Sequence, residues 1–134
     1  MSWVAMFPGQ GSQQAGMGEE LLDKYSNILI DDFEETLGWS LQETILNSNQ
    51  EEITKTNIAQ PYIFAISYCY GLEAIKKLGL PKVGIGHSLG EYTALSLSEI
   101  LSYKDALKII SVRGKAMQEA VEGSSTTLAA VLTS

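Results

Sequence analysis

Ser88 is the residue whose type and surroundings best suit covalent chemistry, because it lies at the centre of Gly86-His87-Ser88-Leu89-Gly90. The residues before this motif predict a short strand, and those after it predict a helix. A serine on such a sharp turn adopts a strained backbone that exposes its hydroxyl, and the flanking glycines let the strand and the helix approach. The first N–H groups of the helix suit an oxyanion. The pattern predicts an acyl-transfer nucleophile; the alternative is a structural turn with an incidental serine.

His87 is the only histidine in the sequence. Adjacent side chains on a tight turn point in different directions, so His87 is poorly placed to take a proton from Ser88. We interpret His87 as a residue beside the pocket that either hydrogen-bonds the acyl group or simply packs. The sequence therefore offers no obvious general base for its own nucleophile.

The composition indicates one globular domain over residues 1–134, with 45% hydrophobic and 19% charged residues. No apolar run reaches the length of a membrane span, and the N-terminus lacks a basic segment followed by an apolar one, so we expect a cytoplasmic protein. The net charge of −7 argues against a nucleic acid partner. Cys69 is the only cysteine, which excludes an internal disulfide, and its apolar helical setting predicts a buried, unreactive thiol.

Apolar periodicity and turn signals divide the chain into alternating strands and helices. The predicted strands are residues 3–7, 82–86 and 127–132; the predicted helices are 19–37, 41–46, 61–78, the stretch from the Ser88 turn to about 98, and 104 to about 122; loops are predicted over 9–18 and 47–57. Gly38 and Gly79 predict helix ends, and Ser40 with Glu43 predicts a capping box. This order predicts an α/β domain with a mostly parallel sheet. Three strands form a narrow sheet, which is typical of part of a larger domain.

Four segments carry a resemblance to a known family: Phe7-Pro8-Gly9-Gln10-Gly11-Ser12-Gln13, Asn57-Ile58-Ala59-Gln60-Pro61, Gly86-His87-Ser88-Leu89-Gly90-Glu91-Tyr92 and Val112-Arg113-Gly114-Lys115-Ala116-Met117-Gln118. They resemble the motifs of the malonyl-CoA:acyl-carrier-protein transacylases, including the related acyltransferases of polyketide synthases. The order and spacing are compatible with the family, since Arg113 follows Ser88 by the family's 25 residues.

The resemblance implies a two-step exchange. Ser88 attacks the thioester of malonyl-CoA, and the phosphopantetheine thiol of an acyl carrier protein then accepts the malonyl group from the serine ester. No separate cofactor is implied, because coenzyme A arrives as the substrate thioester and the carrier protein brings the phosphopantetheine. Whether the acceptor serves fatty-acid or polyketide biosynthesis stays open.

The resemblance also implies roles for particular residues. Backbone N–H groups at the positions of Gln10 and Leu89 form the oxyanion hole in the family. The position of Arg113 holds the free carboxylate of malonate, which a planar guanidinium contacts at two points. Gln60 orients that arginine or the substrate, and Leu89 is similar to the residue found in malonyl-specific members.

The implied fold is the parallel-sheet, hydrolase-like large subdomain of an acyltransferase. Family members continue into a small ferredoxin-like subdomain, and their catalytic histidine lies in the part that this chain lacks. We therefore expect residues 1–134 to be an N-terminal portion, inactive or impaired alone, that a C-terminal half or a second chain completes. A smaller departure from the family is Glu99, where relatives usually have glycine at a helix end.

Three alternatives remain. A non-catalytic remnant would bind a partner such as a carrier protein. An α/β-hydrolase-type thioesterase would release the acyl group to water, but it commonly carries a His-Gly-Gly loop that is absent here, and it has no need of Arg113. Dinucleotide binding through Gly9-Gln10-Gly11 is disfavoured because Gln14 replaces the third glycine of that motif.

Overall fold

A computed structural model describes residues 2–125, 129 and 131–133. Its elements, in chain order, are strand β1 (Val4–Phe7), a 3-10 turn (Glu19–Leu21), a π-helix (Asn27–Asp32), helices α1 (Phe33–Leu37), α2 (Leu41–Asn47), α3 (Gln50–Thr54) and α4 (Thr56–Leu78), strand β2 (Val83–Gly86), and helices α5 (Gly90–Leu97) and α6 (Tyr103–Val121). Within the described ranges, no helix is long and apolar enough to cross a membrane.

The two strands pair in parallel, with Val4 opposite Val83 and Phe7 opposite Gly86. Parallel pairing needs a long crossover, and the helical segments between β1 and β2 provide it. The predicted α/β class and parallel pairing are therefore confirmed. Of the third predicted strand, residues 127–132, residues 127, 128 and 130 lie outside the described residues, and residues 129, 131 and 132 are not in a strand.

Helix α4 lies at the centre of the core. Its sequence is apolar on most sides, which predicts a buried helix, and its middle turns are almost fully buried. Phe64 stacks on Tyr103 of α6 with ring centroids 5.5 Å apart. Cys69 is buried in this helix as predicted, and burial raises the pKa of its thiol to about 12, so little reactive thiolate forms near neutral pH.

The predicted loop over residues 47–57 is wrong. Asn49 and Glu52 form a reciprocal capping box that starts α3 within this stretch. Helix α4 then begins at Thr56 rather than at Pro61, which lies inside the helix. Proline suits a first helical turn because it lacks an N–H donor, but the tertiary packing here tolerates it one turn later.

The predicted single helix over residues 19–37 is also only partly right. The chain is helical there, but it passes through a 3-10 turn and a π-helix before it becomes the short α1. Its predicted end is correct, because Gly38 adopts the left-handed backbone with φ of 75°.

Glu99 lies where helix α5 ends, in a backbone conformation that favours glycine. Its φ is 59°, in the left-handed region. The N–H of Glu99 bonds the carbonyl of Ser96, and the N–H of Ile100 bonds that of Leu95, which is the Schellman arrangement. A glycine without a Cβ adopts this backbone with little strain.

We therefore expect Glu99→Gly to raise the free energy of unfolding by up to about 1 kcal/mol, because relief of the left-handed strain exceeds the added backbone entropy. Urea unfolding measures the change. The matched control is Glu119→Gly within α6, where right-handed backbone makes the same substitution destabilising by about 0.5–1 kcal/mol. Equal destabilisation by both substitutions would contradict the interpretation of Glu99.

Candidate active site

The turn after β2 presents Ser88 at the carboxyl end of the sheet. The N–H of His87 donates to the carbonyl of Phe7 at 3.1 Å, which continues the parallel pairing past the last residue of the strand. Ser88 then takes a φ of 51°, and Leu89 begins the helical backbone that leads into α5. The Ser88 side chain is exposed. The structure therefore has the strained strand-to-helix turn that the motif predicts.

The two flanking glycines are required by close backbone contacts. A Cβ atom at Gly86 would lie 2.0 Å from the carbonyl carbon of Gly90, and a Cβ at Gly90 would lie 2.2 Å from the carbonyl oxygen of Phe7. Because these neighbours are backbone atoms, no rotamer change relieves either contact. Strand, turn and helix meet here only because both positions lack a side chain.

Arg113 reaches Ser88 from helix α6. One guanidinium nitrogen, Nη2, donates to the Ser88 Oγ at 2.9 Å, and the other, Nη1, donates to the Gln60 Oε1 at 2.6 Å. The guanidinium carbon also lies 5.9 Å from the centre of the Tyr92 ring, within range of a cation–π contact. Three elements, α4, α5 and α6, thus fix the position of this positive charge.

Gln60 is fully buried on α4 and connects Arg113 to the loop after β1. Its Nε2 lies 3.2 Å from the sulfur of Met117 and 3.4 Å from the Gln10 Oε1. Gln10 in turn donates through its own Nε2 to the Thr56 Oγ1 at 3.0 Å. The structure therefore brings together Ser88, Arg113, Gln60 and Gln10, which come from four separate parts of the sequence.

The two predicted oxyanion donors have available N–H groups. Among the residues that the structure describes, neither the backbone N–H of Gln10 nor that of Leu89 has a hydrogen-bond acceptor. The Leu89 side chain is fully buried, which anchors the start of α5. Unpaired N–H groups at a helix start suit an anion.

His87 lies beside this site without contacting the nucleophile. Its ring is so close to Gly9 that a Cβ there would lie 3.0 Å from the imidazole Nδ1. Over the described part of the chain, Arg113 is the only side chain hydrogen-bonded to the Ser88 hydroxyl, and no carboxylate or imidazole contacts it. The described residues thus expose the Ser88 hydroxyl, but none of them hydrogen-bonds it with a carboxylate or an imidazole that could act as a general base.

The charge of Arg113 is not neutralised by a carboxylate within the described ranges. The ion pairs there involve Lys24, Lys76 and Lys104, which lie on other parts of the molecule. Arg113 instead bonds two neutral groups, the Gln60 amide and the Ser88 hydroxyl. The described residues also contain no cluster of acidic, cysteine or histidine side chains of the kind that holds a metal ion.

Sequence reasoning missed several residues that contact this network. Thr56 precedes Gln60 by one helical turn. This was not predicted because α4 was expected to begin at Pro61, after both residues. Gln118 lies in a segment used for the resemblance and accepts the Thr56 N–H at 3.1 Å, yet no role was assigned to it. Gly114 lies against the same helix start, since its Cβ would be 3.2 Å from the Thr56 carbonyl oxygen.

The left-handed backbone of Ser88 leads to a prediction about the stability of two variants. Ser88→Gly and Ser88→Ala both remove the hydroxyl and its bond to Arg113, but only glycine relieves the left-handed backbone. We expect the glycine variant to be more stable than the alanine variant by about 1 kcal/mol in urea unfolding. Equal stabilities would show that the turn carries no such strain in solution.

A family model described as an acyl transferase domain matches residues 4–133. The malonyl CoA-acyl carrier protein transacylase of Bacillus subtilis (strain 168) is 43% identical over 136 residues, covering 98% of this chain and 43% of that relative. The chain therefore spans less than half of the length of this relative.

Solved structures share the fold. The crystal structure of malonyl CoA-acyl carrier protein transacylase from Burkholderia pseudomallei matches with a TM-score of 0.83 at 30% identity, covering 90% of this chain and 41% of its own. The solved complex of a type II PKS acyl-carrier protein with its malonyl-transacylase matches with a TM-score of 0.80 at 35% identity. The match covers 90% of this chain and 40% of the matched chain. The resemblance to these transacylases is confirmed, and the chain belongs to the acyl transferase domain family.

Proposed function

We propose that this chain carries the nucleophile and the acyl-carboxylate site of a malonyl-CoA:acyl-carrier-protein transacylase. The observation that carries the proposal is the 2.9 Å contact between Arg113 and Ser88. A positive charge without a carboxylate partner, held against an exposed nucleophile, suits an acyl group that bears an acid. The names of the relatives support malonyl-CoA as donor and a carrier-protein thiol as acceptor.

The proposed first step forms a bond between the Ser88 Oγ and the thioester carbonyl carbon. The carbon–sulfur bond then breaks, and coenzyme A leaves as its thiol. The proton of the serine passes to a general base and from that base to the departing sulfur. For the base we propose a histidine outside this chain, because His87 does not hydrogen-bond Ser88. Transfer to the phosphopantetheine thiol reverses these bond changes and frees the serine.

Arg113 accounts for the choice of acyl group. The free carboxylate of a malonyl thioester is separated from the reacting carbonyl by one methylene, so it lies close to the nucleophile. A carboxylate there replaces the Ser88 hydroxyl as acceptor of the guanidinium N–H groups, and it forms the stronger, charge-assisted hydrogen bonds. Ser88 is thereby released as the substrate that it attacks arrives.

The Gln10 and Leu89 N–H groups are proposed to bind the oxyanion of the tetrahedral intermediate. Both lack an acceptor among the described residues, so no internal bond has to break for them to act. By analogy with measured serine enzymes, each donor contributes about 3 kcal/mol to the transition state.

A second candidate, a non-catalytic module that binds a partner, is favoured by one observation. The sheet face that carries Ala5 packs on α5, but the opposite face exposes Val4, Met6, Val83 and Ile85 at 51%, 74%, 47% and 46%. Contiguous exposed apolar residues of this kind mark interaction surfaces.

Acylation of Ser88 tests the proposal directly. The chain is incubated with malonyl-CoA, alone and with the portion of the Bacillus subtilis relative that it does not cover. Intact-mass measurement should show a malonyl adduct that is absent from Ser88→Ala. An adduct that persists in Ser88→Ala would refute the assigned nucleophile, and no adduct under either condition would favour the partner-binding module.

Replacement of Arg113 tests the carboxylate site. We expect Arg113→Ala to lower the rate of acylation by malonyl-CoA relative to acetyl-CoA by at least about tenfold, because charge-assisted bonds to the acid contribute roughly 1.5–3 kcal/mol. Arg113→Lys is the control that keeps the charge but loses the two-point geometry. Its preference for malonyl-CoA over acetyl-CoA should lie between those of the unchanged chain and Arg113→Ala. An unchanged preference in Arg113→Ala would remove Arg113 from substrate recognition.

A further inference from the structure

We propose that Thr56 is a positioning residue that holds the Gln10 loop, and with it the Gln10 N–H, in place beside the nucleophile. This inference rests on the proposed function of the site. Thr56 is the first residue of α4, and it links three segments: the loop after β1, α4 itself and α6.

The backbone of Thr56 is fixed by a side chain from α6. Its N–H donates to the Gln118 Oε1 at 3.1 Å, across 62 residues of sequence. The preceding residue, Lys55, provides no side-chain cap for α4. Gln118 therefore substitutes for the missing cap and satisfies one of the N–H groups that a helix start leaves unpaired.

The close approach of the two helices leaves little freedom at this point. A Cβ at Gly114 would lie 3.2 Å from both the Thr56 carbonyl oxygen and the Asn57 Cα. Arg113 is the neighbour of Gly114 on α6, and Gln60 lies one turn after Thr56 on α4. The helix contact that fixes Thr56 is thus the same contact that places the guanidinium.

Two hydrogen bonds hold the Gln10 side chain, and the one to the Thr56 hydroxyl is the shorter. This hydroxyl accepts from the Gln10 Nε2 at 3.0 Å, whereas the Gln60 Nε2 lies 3.4 Å from the Gln10 Oε1. Gln10 itself is exposed, so packing does little to hold it. Without the hydroxyl, the loop keeps only the longer contact through this side chain.

This placement predicts a particular kinetic signature. The oxyanion donor acts on the thioester carbonyl, which is common to all acyl groups, whereas Arg113 acts only on those that carry an acid. Loss of the Thr56 hydroxyl should therefore slow acylation by malonyl-CoA and by acetyl-CoA by the same factor. An interaction made chiefly in the transition state lowers kcat and leaves KM nearly unchanged.

Thr56→Val, which keeps the shape but removes the hydroxyl, is the test variant. We expect a fall of about 10- to 100-fold in both acylation rates, as for a small misplacement of a catalytic group. Thr56→Ser retains the hydroxyl and should restore at least most of the rate. Thr44→Val is the matched control, because among the described residues the Thr44 hydroxyl bonds only the Ser40 carbonyl, at the start of its own helix.

A second measurement decides the inference even if the chain is not acylated. In ¹⁵N-edited NMR spectra of the chain, Thr56→Val should move the side-chain amide and backbone N–H signals of Gln10, and Thr56→Ser should leave them near their original positions. Signals that move only at residues 55–57 and at Gln118 would overturn the inference, as would unchanged acylation rates in Thr56→Val. A selective loss with malonyl-CoA would also overturn it, because the effect would then lie at the carboxylate end.

These results separate the inference from the proposed function. If Arg113→Ala leaves the acyl preference unchanged while Thr56→Val moves the Gln10 signals, the carboxylate site fails and the positioning role stands. If Arg113→Ala changes the preference and Thr56→Val changes neither rate nor spectrum, the carboxylate site is supported and the positioning role of Thr56 is refuted.

Discussion

The contact between the end of β1 and the start of α5 is the constraint on which the rest of the site depends. At Gly90 the helix backbone lies so close to Phe7 that a Cβ would be 2.2 Å from the Phe7 carbonyl oxygen. The same approach brings the loop that carries Gln10 to the turn that carries Ser88. Both lie beyond the carboxyl ends of parallel strands, the edge at which open α/β sheets bind their ligands.

The second constraint is the contact between α4 and α6, which acts at Gly114. A Cβ at Gly114 would lie 3.2 Å from backbone atoms of α4, so a side chain there would require the two helices to shift slightly apart. Because Arg113 and Gln60 lie beside this contact, the helix spacing sets where the guanidinium sits relative to the sheet. Ser88 is thus placed by one pair of elements and the positive charge of Arg113 by another, and a 2.9 Å hydrogen bond joins the two side chains.

Much of this arrangement could be predicted from the sequence because its signals are local. The GxSxG motif around Ser88 and the apolar runs of the two strands each identify a structure within a few residues. The start of α4 could not be found the same way, because Pro61 is a stronger local signal than Thr56, whose N–H is capped by Gln118 from a distant helix. Glu99 is a similar case, since its left-handed backbone is imposed by the Schellman bonds around it and not by its own preference.

Neutral partners hold Arg113 in place, and this keeps its charge available to a negatively charged group. A buried carboxylate at position 60 would pair with the guanidinium, and an incoming acid would then have to break an ion pair before it could bind. The Gln60 amide orients one side of the guanidinium through a 2.6 Å hydrogen bond but leaves its charge unneutralised. The Ser88 hydroxyl, also neutral, accepts from the other nitrogen at 2.9 Å, and a charge-assisted bond to a carboxylate would be stronger than this one. The charge is therefore held in place by neutral groups, which is the condition that the proposed acid-selective site has to meet.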